Sequence, residues 1–231
     1  MTTRLCVSAT LNARSKPGQK LLRELVAQAP KAARACYIGA AHEDDPDWAR
    51  LTTDFFTKDL GIPCDAPRLS DPGLDVKKAK RAIQSADVLY LDGGTTLEVI
   101  RHAEERGLLD ALRNTRKTAS LIFGLSAGGC ATAPFTVGWD EAEKPFVAPC
   151  LDLGLPHTVD VHDEPEWGEM VELLDHVIAT RKDLEPVALV VPSGSCLFLA
   201  DDGSLSSWGK APCEKRTRSK GRWKIEPIPG A

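Results

Sequence analysis

From the N-terminus to about residue 134, short apolar runs suited to buried strands alternate with amphipathic helical segments. Few folds accept that pattern, because strand, helix and strand in succession are the unit of a parallel sheet. The runs "RLCVSA", "ARACYIGAA", "DVLYLDGG" and "ASLIFGL" read as strands. Between them, "KPGQKLLRELVAQA", "DPDWARLTTDFFTKDLG", "DVKKAKRAIQSA" and "TTLEVIRHAEERGLLDALRN" read as helices, the last broken near Gly107. Leu21, Leu22, Leu25 and Val26 share one face of the first, and Pro17 suits its first turn. A further short strand is expected around residues 67–69. The expected fold class is therefore α/β, a mostly parallel sheet flanked by helices on both faces.

Beyond Pro134 the pattern changes. Irregular, proline-containing segments lead to a helix expected at residues 166–182. An antiparallel-looking end follows, "VALVV", "SCLFLA" and "SLSSWG", where Asp202-Gly203 between apolar runs signals a hairpin. The basic tail at residues 214–224 reads as a solvated turn before a last strand. With 231 residues, 42% of them hydrophobic, the chain can form one core, and a single domain over 1–231 is expected.

Composition narrows the partners. A formal net charge of -4 gives no electrostatic footprint for nucleic acid or an anionic membrane, and no apolar run reaches the length of a membrane span. The first residues lack the pattern of a signal peptide, so a cytoplasmic protein with a small soluble partner is expected, a homodimer being left open. Seven scattered cysteines without C-x-x-C spacing argue against a disulfide framework or a zinc site; most read as core residues. No metal or cofactor is expected.

Two strand ends carry glycine-rich turns, "LDGGTT" and "GLSAGG". In open α/β sheets the ligand crevice lies beyond the carboxyl ends of the strands, so both turns could face one site. The second has the Gly-x-Ser-x-Gly form of a nucleophile elbow centred on Ser126. Both also suit plain strand-to-helix connections. A serine nucleophile needs a histidine base, a group that orients the histidine, and N–H donors for the oxyanion, for which Ala127 and Gly94 are placed. Of five histidines, His102 and His176 read as surface or interface residues and His42 as lying near a helix start. That leaves His157 and His162, the latter at the end of the strand-like "TVDV". The order Ser, acid, His of α/β-hydrolases does not fit, since no histidine follows His176 and the chain between Ser126 and His162 is too short.

The motifs "DGGTT", "GLSAGG" and "LGLPHTVDVHDE", in this order and spacing, together with "YIGAAHEDDPDW", resemble the peptidase E family of serine peptidases, which includes aspartyl dipeptidases and cyanophycinases. The resemblance implies a fold related to class I glutamine amidotransferases and a serine peptidase acting on short peptides, dipeptides in particular. It implies Ser126 as nucleophile, His162 as general base, with His157 the less favoured alternative, and Gly94 and Ala127 as oxyanion donors. Glu141, and next Asp140, in "GWDEAEKP" would orient the histidine. Gly93, Thr95 and Thr96 would line the substrate site, where Thr95 stands in place of the family's asparagine. Val161 replaces the usual proline and Asp163 the aromatic residue around the histidine. The acids Asp163, Glu164, Glu166 and Glu169 follow where aspartyl dipeptidases place an arginine, a substitution that would repel an acidic substrate side chain. The alternatives are a hydrolase of the same fold acting on another amide or ester, and an inactive binding or regulatory relative.

Overall fold

The computed structural model describes residues 3–139, 144–162, 185–219 and 222–231; the helix expected at 166–182 lies outside them. The first part of the chain runs β1 (Thr3–Ser8), α1 (Lys16–Gln28), β2 (Ala35–Ile38), α2 (Pro46–Asp54), β3 (Cys64–Asp65), α3 (Val76–Gln84), β4 (Val88–Leu91), α4 (Thr96–Glu105), α5 (Leu109–Thr118), β5 (Leu121–Leu125) and α6 (Ala127–Cys130). Strands follow: β6 (Phe135–Trp139), β7 (Pro145–Pro149), β8 (Thr158–Val161), β9 (Val187–Val191), β10 (Ser195–Ala200), β11 (Leu205–Gly209), β12 (Glu214–Ser219) and β13 (Arg222–Pro227).

The main sheet has seven strands in the order β11-β10-β1-β5-β4-β2-β3. β1 to β5 are mutually parallel, while β10 and β11 add an antiparallel edge beside β1. Period-two alternation sorts its residues to two faces. Val88, Tyr90, Leu121 and Phe123 pack with Leu21, Leu22 and Leu25 of α1. Leu89, Leu91 and Ile122 pack with Ala79 and Ile83 of α3, Val99 of α4 and Leu112 of α5. Each fully buried aliphatic side chain contributes about 1.5–3 kcal/mol through removal of its surface from water. Caps fix where these helices begin: the Ser15 side chain accepts from the Gly18 N–H ahead of α1, and Asp75 accepts from Lys78 N–H ahead of α3.

A second sheet, β13-β12-β9-β8, stands apart in pairing but not in packing. Val159, Val161, Leu189 and Val191 join the same core as α3 to α5, and β8 lies against α6. This carries the chain after Val161 to the carboxyl end of β5.

"VALVV" and "SCLFLA" each take antiparallel neighbours, in different sheets: β9 pairs with β12, and β10 with β1 and β11. Two expectations are corrected. The short strand lies at Cys64–Asp65, pairing with Ala35 and Cys36, whereas Leu69 is a buried loop residue. The basic tail is a hairpin, β12 against β13 with Arg216 opposite Ile225. Its charges obscured β12, an inner strand between β13 and β9 whose Lys215, Arg216 and Arg218 side chains are only partly buried. The Asp202-Gly203 turn does close the β10–β11 hairpin, Gly203 having φ 82°. All seven cysteines are free, and five are buried.

Candidate active site

Ser126 stands between β5 and α6 with φ 49° and ψ −119°, a conformation that costs a non-glycine residue about 1–3 kcal/mol. Neighbouring backbone holds it there. Its N–H donates to Ser8 O at 2.8 Å, and its carbonyl accepts from Gly129 N–H at 2.8 Å and Cys130 N–H at 3.0 Å. The turn is this sharp because α6 lies directly on β5: a Cβ on Gly124 would come within 2.6 Å of Gly129 Cα.

His162 follows β8, and its Nε2 lies 3.0 Å from Ser126 Oγ. With the hydroxyl donating, Nε2 is the acceptor and Nδ1 carries the ring proton. His157 is occupied elsewhere, its Nδ1 3.4 Å from a Glu185 carboxylate oxygen. Burial and the Lys215 charge hold His157 below the usual histidine range, against the opposing pull of Glu185. Asp140, Glu141 and the acids at 163–169 lie outside the described residues. Among the described residues, His162 Nδ1 has no hydrogen-bond partner.

The other glycine turn comes against this pair. A Cβ on Gly93 would lie 3.3 Å from Ser126 Cβ, so the two turns are in contact. Gly94 has φ 137°, and any Cβ there would sit 2.1 Å from Ala41 O; only glycine fits. Thr95 N–H donates to Ala41 O at 2.7 Å, and Thr96 Oγ1 donates to Ala127 O at 3.3 Å, tying α4 to α6. Among the described residues, the Gly94 and Ala127 N–H groups have no partner. Ser126, His162, Gly93, Gly94, Thr96 and Ala127 are thus gathered at one end of the sheet. Such a set can activate a hydroxyl and stabilise an anion.

Sequence reasoning missed what lies beneath. The Asp92 side chain is wholly buried and accepts from Arg14 Nη1 at 2.5 Å, Arg14 Nη2 at 3.1 Å, Tyr37 Oη at 2.6 Å and Gly93 N–H at 2.8 Å. His42 Nε2 completes the set at 3.2 Å. Burial alone would raise the Asp92 carboxyl, but bonds from His42, Arg14 and Tyr37 and the Arg14 charge bring it down to about 2. The available signal was an acid ending the otherwise apolar run "DVLYLDGG" just before two glycines.

Glu43, Glu98 and His102 bring ligand atoms within 4.8 Å of one another. The Arg101 guanidinium already pairs with Glu98, Glu105 and Glu43, balancing that charge. Of the surface and interface positions expected for His102, the surface one is excluded, because its side chain is buried.

The family model of Peptidase family S51 matches residues 5–202. The chain belongs to Peptidase family S51. Its match to Peptidase E of Haemophilus influenzae is 26% identical over 142 residues, 57% of this chain and 65% of the relative; the match spans just under two thirds of that relative's length. Two solved structures share the fold. A peptidase from an acI-B1 Actinobacterium superposes with a TM-score of 0.70 at 11% identity, covering 98% of this chain and 97% of that one. A Peptidase E-type protein from Listeria monocytogenes EGD-e gives 0.62 at 12% identity, covering 91% and 100%. The expected family is therefore the right one, and the α/β fold is shared with both structures.

Proposed function

We propose that this protein is a serine peptidase that hydrolyses short peptides, dipeptides first among them, through an acyl-enzyme. One observation carries the reading: a serine strained into a strand-to-helix elbow, its Oγ 3.0 Å from His162 Nε2. In the first step Ser126 Oγ bonds to the scissile carbonyl carbon while its proton passes to His162 Nε2. The Gly94 and Ala127 N–H groups receive the oxyanion. Collapse of the adduct breaks the C–N bond as His162 returns the proton to the leaving amine, and water then repeats the sequence to free Ser126. Glu141 or Asp140 would hold the Nδ1–H tautomer. Thr95 and Thr96 offer hydroxyls to the substrate backbone, and the acids after His162 disfavour an acidic N-terminal residue in the substrate.

The departures at Thr95 and in the acidic run also suit a second reading, hydrolysis of another amide or ester on the same machinery. A screen of Asp-X, Glu-X, Lys-X and neutral dipeptides, with Ser126→Ala alongside, separates the cases. Cleavage of neutral or Lys-X dipeptides by the wild type, abolished in Ser126→Ala, is the expected result. Undiminished cleavage by Ser126→Ala contradicts the proposal, and dipeptides left intact while simple esters turn over favour the second reading.

A further inference from the structure

We propose that Asp92 is a positioning residue that sets the oxyanion turn through Gly93, in a closed circuit with His42. The inference rests on the serine peptidase reading above and extends it to residues that touch no substrate. Each contact in the circuit is explicit. Asp92 Oδ1 accepts the Gly93 N–H at 2.8 Å, fixing the Asp92–Gly93 peptide, one residue before the Gly94 N–H. On the opposite side, Ala41 O accepts the Thr95 N–H at 2.7 Å and abuts Gly94 so closely that no Cβ fits. His42, the residue after Ala41, reaches back to Tyr37 Oη at 2.9 Å and Asp92 Oδ2 at 3.2 Å. The turn at residues 92–95 is thus gripped from two sides, and the grips are joined to each other.

The hydrogen-bond directions leave little freedom. His42 Nδ1 accepts from Asp45 N–H at 3.2 Å, so Nε2 carries the proton and donates into the Tyr37–Asp92 pair. Trp48 covers the group, with the Arg14 guanidinium 4.3 Å from its ring centre. Both Asp92 oxygens are engaged, so the carboxylate has no capacity for substrate and does not exchange protons near neutral pH. A buried ion pair is seldom more stabilising than apolar residues of the same volume. What this one supplies to the site is geometry: it fixes the Gly93 peptide beside Ser126, and with it where the next N–H lies.

The test uses the full-length chain carrying Asp92→Asn, Tyr37→Phe, His42→Phe or His42→Gln, each checked for native near-UV dichroism at the assay temperature. Two readouts are needed: kcat and KM on the best dipeptide of the screen, and affinity for a peptide boronic acid, which adds to a serine as a tetrahedral anion. Displacing an oxyanion donor should lower kcat about 10-fold or more with KM within about threefold, and boronate affinity should fall in parallel. His42→Gln, which can replace both imidazole hydrogen bonds, should recover much of what His42→Phe loses. Folded variants whose kcat and boronate affinity stay within about twofold of wild type overturn the proposal. If Asp92→Asn does not fold, the Tyr37 and His42 variants decide by the same criterion. Ser126→Ala run in parallel keeps the two claims apart: if it is inactive while the circuit variants behave as wild type, only this inference fails, and if it is active the underlying reading fails.

Discussion

The site is governed by a few atoms whose positions are dictated by backbone constraints. Ser126 is held at a positive φ by its N–H bond to Ser8 O and by the Gly129 and Cys130 N–H groups on its carbonyl, so its hydroxyl has a defined direction before any substrate arrives. His162 supplies the acceptor at 3.0 Å. Replacing it with alanine is expected to lower kcat by roughly four orders of magnitude while leaving the melting temperature near wild type, since the side chain is exposed; His157→Ala should retain most activity. Steady-state kinetics on both variants check this, and the reverse order would move the base to His157. Gly94→Ala should damage both stability and rate, because its Cβ meets Ala41 O at 2.1 Å. A loss of about 1–3 kcal/mol in urea unfolding is expected, together with a fall in kcat.

At the scale of elements, sequence periodicity was a good guide wherever one strand faced two layers of helices. Val88, Leu89, Tyr90 and Leu91 have no polar alternative, and their run could be nothing but a central strand. The elbow was equally legible, because Gly124 and Ser126 answer a local steric demand that leaves a local signature. β12 was not, since Lys215, Arg216 and Arg218 mask its alternation. Nor was the separation of β9 from β10, which depends on which neighbours a strand finds and not on its own residues. The Asp92 circuit was hidden for the same reason: Arg14, Tyr37 and His42 lie 78, 55 and 50 residues away in sequence. An element-level prediction follows from the contact between β5 and α6. Gly124→Ala forces the two apart against backbone and, like Gly94→Ala, should lower kcat together with stability, by about 1–3 kcal/mol, whereas Phe123→Ala, in the stack with Tyr90 at 5.0 Å, should cost about 3–5 kcal/mol with kcat of the folded enzyme little changed. Thermal melts paired with kcat measurements distinguish the two behaviours.

Across the whole molecule, two sheets with different strand partners share one core and meet over α6, which places the residue after β8 beside the residue after β5. No described helix is long and apolar enough to cross a membrane. Global stability should also carry the mark of Asp92. Its folded carboxyl, at about 2, lies below the unfolded value, so its stabilisation is complete above about pH 4 and is lost as the pH falls through about 2. The contribution is about 2 kcal/mol, and urea unfolding of wild type and Asp92→Asn should show the gap between them narrow by that order from pH 7 to pH 2. A gap independent of pH would contradict the charge assignment. Reaction with a small fluorophosphonate, followed by peptide mass spectrometry, asks whether Ser126 is a nucleophile activated by His162. A single stoichiometric adduct is expected on the peptide containing Ser126, absent in Ser126→Ala and strongly slowed in His162→Ala. An unlabelled wild type, or an adduct that persists in Ser126→Ala, would contradict that role.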